Sequence, residues 1–112
     1  MNQAGARAED ACAAMMRAAG LLLLERNWRC RFGEIDLIAE DGETVVFAEV
    51  RMRRSFNFGG AGESVTAAKR AKLLASARLY LASRPQTACR FDVFLVEGQA
   101  GDVRWVRDAF GE

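Results

Sequence analysis

Gly33-Glu34-Ile35-Asp36-Leu37-Ile38 and Phe47-Ala48-Glu49-Val50-Arg51 are the stretches that decide the fold, joined across Asp41-Gly42. Both alternate in the way strands do, and an Asp-Gly pair between such runs predicts a two-residue hairpin. That turn sets Glu34 opposite Glu49, Asp36 opposite Phe47 and Ile38 opposite Val45. Side chains alternate faces with period 2, so Glu34, Asp36, Glu49 and Arg51 share one face. Asp36 and Glu49 then become diagonal neighbours, roughly 7–8 Å apart. Two like charges among β-branched residues destabilise a strand pair unless a cation or a base compensates them.

Working outward, the second strand (Thr44 to Arg51) is apolar on both faces, the mark of a central strand covered on both sides. Arg90 to Val96 reads the same way, with Phe91, Val93 and Leu95 on one face and Asp92, Phe94 and Val96 on the other. Gly5 to Ala19 predicts a helix stopped by Gly20, with a stripe of Ala8, Ala11/Cys12, Met15 and Ala19. Glu9 lies on the flank of that stripe, where a first-turn acid favours the helix dipole. Leu21 to Arg31 fits an edge strand, and Val103 to Val106 a last short one. Thr66 predicts an N-cap for a helix to about Ser83, ended by Pro85 and buried through Leu73, Leu74, Ala77, Tyr80 and Leu81. Met52 to Gly62, with Gly59-Gly60-Ala61-Gly62, reads as a functional loop. The expected architecture is one α/β domain over 1–112 in the order α-β-β-β-α-β-β, a mixed central sheet flanked by helices.

Composition narrows the chemistry. The 112 residues carry a net charge of +1, so any case for nucleic acid must be local rather than global. Histidine is absent, which excludes Ser-His-Asp and Cys-His catalysis and zinc sites built on His. Three widely spaced cysteines suggest reduced thiols and a cytoplasmic protein. The longest apolar run, Ala18 to Leu24, is far short of a membrane span.

Local basic clusters are present. Arg26, Arg29 and Arg31 interleave with Trp28, which suits a phosphate backbone with an unstacked base, or equally arginines lying over an exposed indole. Arg53 and Arg54 follow Arg51. Lys69, Arg70 and Lys72 crowd the start of the second helix, where they oppose its dipole and call for an anionic partner: Glu63, another protein carboxylate, or a phosphate.

Several ordered motifs then point one way: Gly5-x3-Glu9-x-Ala11, Glu25-Arg26-Asn27-Trp28-Arg29, the two hairpin strands, Phe58-Gly59, Val65-Thr66-x2-Lys69 and Arg90-Phe91-Asp92-Val93. Together they resemble the YraN family, which is similar to the PD-(D/E)xK nucleases of restriction-endonuclease-like fold, particularly archaeal Holliday-junction resolvases. The resemblance implies a restriction-endonuclease-like core with Asp36 and Glu49 as metal-binding acids and Glu9 as a helper acid from the first helix. The ion implied is Mg²⁺ or Mn²⁺, which takes oxygen ligands and keeps several waters. Arg51 stands where the nuclease motif has a lysine. Arginine stays charged at any working pH and contacts phosphate without acting as a base, and Lys69 is a candidate substitute amine. Asp36, Glu49 and Arg51 are thus the expected catalytic set. Arg29, Arg31, Arg53, Arg54, Lys69 and Lys72 are the expected nucleic-acid contacts. The implied function is a Mg-dependent DNA endonuclease, on branched DNA by analogy. The alternative is a DNA-binding or protein-interaction member without catalysis. Cleavage of symmetric junctions would also call for a homodimer, through Val103 to Val106 or the Phe56/Phe58 loop. Glu34 reads as a salt-bridge partner for Arg51 or Arg53.

Overall fold

β3 (Thr44–Arg53) is the spine of the molecule, with residues 45 to 49 all buried. The computed structural model describes residues 3–53, 65–97 and 102–111. Around β3 the order is α1 (Gln3–Ala18), β1 (Leu22–Cys30), β2 (Gly33–Asp41), β3, α2 (Ala67–Tyr80), a short 3₁₀ turn (Leu81–Ser83), β4 (Cys89–Glu97) and β5 (Asp102–Phe110). The five strands form one sheet in the order β1-β2-β3-β4-β5. β3 and β4 are parallel, as the α2 crossover between them requires, and the other neighbours are antiparallel. This is the expected mixed sheet flanked by helices, consistent with a restriction-endonuclease-like α/β core.

Strand alternation divides the interior into two layers. Val45, Phe47, Phe91, Val93 and Leu95 pack with Leu73 and Ala77 of α2, whereas Val46, Ala48, Phe94 and Val96 pack with Ala8, Cys12, Ala13 and Met16 of α1. The helices therefore cover opposite faces. The buried face of α1 runs through Ala8, Glu9, Cys12, Ala13 and Met16, while Ala11 and Ala19 are exposed. The expected stripe is thus rotated by about one position, and the rotation carries Glu9 inside. The helix also starts at Gln3, which leaves Glu9 beyond the first turn and out of reach of the dipole role. Gly20, at φ 91, ends it in the left-handed conformation that glycine tolerates.

The hairpin register differs from expectation. Asp41 pairs with Thr44, and Gly42 (φ 60) is the first central residue of the turn, where a two-residue loop favours glycine. The turn centre moves by one residue and the pairing by two, which keeps every side chain on its expected face. The shift moves Asp36 from opposite Phe47 to opposite Glu49. The β2–β3 ladder stops at Leu37↔Ala48, one step short of that pair. Trp28 also departs from both readings: half-buried, it packs edge-on against Tyr80, ring centroids 5.1 Å apart, and is not an exposed stacking platform. Thr66 caps α2 as expected, accepting from Lys69 N–H at 3.2 Å. Among the described residues no helix is long and apolar enough to cross a membrane.

Candidate functional site: a carboxylate pair where β2 and β3 part

Where the ladder stops, Asp36 takes over its role. Its Oδ2 accepts the Val50 backbone N–H at 2.8 Å, satisfying a donor that the parting strands leave open. Burial holds the Asp36 carboxyl above the usual range, and the Val50 N–H and Lys69 act the other way.

Glu49 is more deeply placed, 5% exposed. Its Oε1 lies 3.4 Å from Lys69 Nζ, while Oε2 is buried with no hydrogen-bond partner among the described residues. Burial, then the Asp36 charge, pushes Glu49 up to about 7, against the pull of Lys69 and Arg51. A buried carboxylate oxygen without a donor is costly. Paired with Asp36, it suits a hard divalent cation, since Mg²⁺ is commonly held by one or two carboxylates and keeps water on its other positions.

Glu9 stands apart from this pair. It is 3% exposed; its Oε1 accepts from Asn27 Nδ2 at 3.0 Å and lies 3.7 Å from Arg26 Nη2. Burial raises its carboxyl, the Asn27 amide opposes that, and the Asp36 charge adds to it. Asp36 is therefore near enough to be felt. Among the described residues, however, no three acids or thiols gather closely enough to hold one ion. As a third direct ligand, Glu9 is not in place; a shared ion would have Asp36 and Glu49 as its protein ligands.

The basic residues divide. Lys69 is drawn into the site, which answers the dipole problem at the start of α2 with a protein carboxylate. Arg51, half-buried, acts on Glu49 through its charge. Arg29 is 78% exposed and lies 3.8 Å from Glu34, so Glu34 pairs with Arg29; the side chain of Arg53, one of its expected partners, lies outside the described ones. Arg31 lies over the Phe32 ring at 4.8 Å, beyond the end of β1. Lys72 is exposed one turn along from Lys69. Arg53 closes β3, and Arg54, Glu63 and the Phe56/Phe58 loop lie outside the described residues. Asn27 had no expected role; its signal was an amide inside an arginine-rich strand, a residue type that tolerates left-handed backbone.

A family model described as "Uncharacterised protein family UPF0102" matches residues 8–96. The chain belongs to the UPF0102 family. This is the YraN-like family that the ordered motifs resemble. UPF0102 proteins of Nitrosospira multiformis and Nitrosomonas europaea are 52% and 51% identical to it over 108 and 110 residues. Those alignments cover 95% and 96% of this chain and 91% and 93% of the relatives. One from Pseudomonas savastanoi is 46% identical over 115 residues, 97% of this chain and 94% of its own. The UPF0102 match contains Glu9, Asn27, Asp36, Glu49, Arg51 and Lys69 and ends on β4, before the β5 edge strand.

Proposed function

We propose that this UPF0102 protein is a metal-dependent phosphodiesterase acting on DNA, with Asp36 and Glu49 holding Mg²⁺ or Mn²⁺. The observation that carries the reading is the buried Glu49 Oε2, without a hydrogen-bond partner among the described residues, in a carboxyl close enough to Asp36 to feel its charge where two strands part. Its resemblance to the PD-(D/E)xK nucleases supports the same assignment. When bound, the cation would polarise a scissile phosphate and lower the pKa of an attacking water. Asp36 is oriented for its part by the Val50 N–H. Lys69 brings the amine that Arg51 cannot, an ammonium beside Glu49 positioned to offset negative charge developing on phosphate. Arg51 contacts the phosphate as a fixed cation. Arg29, Arg31, Arg53, Arg54 and Lys72 extend the contact along the strand, and a two-fold dimer through the β5 edge would suit a symmetric branched substrate. The thiols of Cys12, Cys30 and Cys89 are unbridged, which suits the reducing cytoplasm.

The test is cleavage of one branched and one linear DNA with Mn²⁺, comparing wild type with Glu49→Ala, Asp36→Ala and Arg51→Lys, alongside direct Mn²⁺ titration. Cleavage and cation binding that both vanish in the two alanine variants support the proposal. Cation binding that survives in Asp36→Ala overturns the assignment of the pair. Arg51 favours one second reading, a DNA-binding protein that has lost catalysis. That reading predicts no cleavage by wild type, a gain in Arg51→Lys, and a DNA affinity that falls steeply with salt as counterions are released.

A further inference from the structure

Beside the carboxylate pair, Ala6, Glu9, Arg26, Asn27, Arg29 and Glu34 line a cleft of about 530 Å³ between α1 and the β1 edge. That size is ordinary for a small-ligand site. Glu9, nine-tenths and more buried, is held there by the Asn27 amide. Asn27 reaches it with φ 53 in the middle of a strand, an unfavourable backbone for any residue but glycine and the few that resemble asparagine. Donating through Nδ2 leaves Asn27 Oδ1 buried with no partner among the described residues. Two acceptor groups, one of them unused, thus sit side by side. Two guanidiniums flank them: Arg26, tied to Asp10 at 2.8 Å, and Arg29, exposed and only loosely paired at 3.8 Å.

We propose that this cleft receives an unpaired guanine from a nucleic-acid strand passing the carboxylate pair, an inference that rests on the nucleic-acid reading above. Guanine presents two adjacent N–H donors, N1–H and N2–H₂, on its pairing edge, matching Asn27 Oδ1 and the Glu9 carboxylate. Its O6 and N7 are acceptors on the neighbouring edge, the pair that an arginine fork recognises, and Arg29 is placed to supply it. Adenine and cytosine offer one amino donor on that edge, and thymine or uracil one ring N–H. A metal ion is disfavoured as occupant by the two flanking guanidiniums. Arg26 lies between the buried Glu9, 3.7 Å away, and the exposed Asp10, 2.8 Å away; its side chain swings toward Asp10 to admit the base, whose N–H donors then take its place at Glu9. Enzymes that read an extruded base do so through its pairing edge in the same way.

The experiment titrates the full chain with GMP, AMP, CMP and UMP in turn, in EDTA, following the backbone amides of α1 and β1 by NMR. EDTA removes any contribution of a bound cation, so failure here is distinct from failure of the cleavage test. GMP is expected to bind about tenfold or more tighter than the others, the discrimination of one good bidentate contact. Asn27→Gly, which keeps the left-handed backbone and deletes the acceptor, should abolish the preference, as should Glu9→Gln, with thermal unfolding confirming that both variants fold. Equal affinity for all four nucleotides would mean phosphate contact alone and overturn the proposal. So would preference for another base, a guanine preference that survives both substitutions, or no binding by GMP.

Discussion

Lys69 Nζ lies 3.4 Å from Glu49 Oε1, joining the first turn of α2 to the end of β3. The contact places an ammonium beside a buried carboxylate two residues before Arg51. It also explains why α2 tolerates a cation at its N-terminal end, because the carboxylate compensates the unfavourable dipole.

Replacing Lys69 by Met removes that compensation. At pH 8 the variant should lose on the order of 1–3 kcal/mol in urea unfolding, the cost of a buried charge deprived of a partner. Near pH 5, where Glu49 is protonated in the folded protein, the loss should be small. If DNA cleavage is established, Lys69→Ala should abolish it; an intact rate would show that the amine takes no part.

Glu49 makes wild-type stability fall as pH rises. Its ordinary value is 4.5, and in the fold it is pushed up to about 7. Below 4.5 both folded and unfolded chains are protonated at this site and no penalty arises. Between 4.5 and 7 the unfolded chain gives up its proton while the folded one keeps it, so stability drops across that window and levels off above it. The drop from this group is on the order of 3 kcal/mol. Glu49→Gln should lack it and exceed wild type in stability at pH 8 when no divalent cation is present. Urea unfolding at pH 5, 6 and 8 measures both.

Asp92 should be the most sensitive polar position. Fully buried, it accepts from Arg90 Nε at 3.0 Å, Trp105 Nε1 at 2.9 Å and Asp108 N–H at 2.9 Å. Arg90 in turn donates to Asp41 at 2.7 Å, so one carboxylate ties β4 to β5 and, through Arg90, to the end of β2. Asp92→Ala leaves those donors unpaired and should cost about 3–5 kcal/mol. Asp92→Asn, which keeps the shape and one acceptor, should cost less.

The cysteines should react in an order set by burial. Cys12 is fully buried, and desolvation, with the charges of Glu9 and Asp36, pushes its thiol up to about 12. Cys89 is exposed. Cys30 is half-buried, and its desolvation is outweighed by hydrogen bonding to Ser76 and the Phe32 and Gly33 backbone, so its thiol is lowered. Iodoacetamide at pH 8 should label Cys89 and Cys30 and leave Cys12 unmodified until the protein is unfolded, since the thiolate is the reacting form. Peptide mass spectrometry gives the order.

What the sequence determined by itself is the part that periodicity encodes. Apolar residues on both faces of Thr44 to Arg51 and Arg90 to Val96 require central strands, and strict alternation assigns each residue to a layer. Thr66 and Gly20 mark helix ends through local backbone chemistry, which needs no distant partner. Asp36 and Glu49 share a face under either register, because the pairing shifts by two residues and a shift of two preserves that parity. Tertiary structure decided what depends on distance between elements. The rotation of α1 that buries Glu9 comes from how Ala8, Cys12, Ala13 and Met16 fit the sheet, and a broad small-residue stripe does not specify one angle. Asn27 finds Glu9 across eighteen positions, and Lys69 finds Glu49 across twenty. Their ends meet because β1 lies along α1 and α2 crosses over β3. Most of all, the step where the β2–β3 ladder stops and Asp36 takes the Val50 N–H is a property of two strands parting. Neither strand carries it alone.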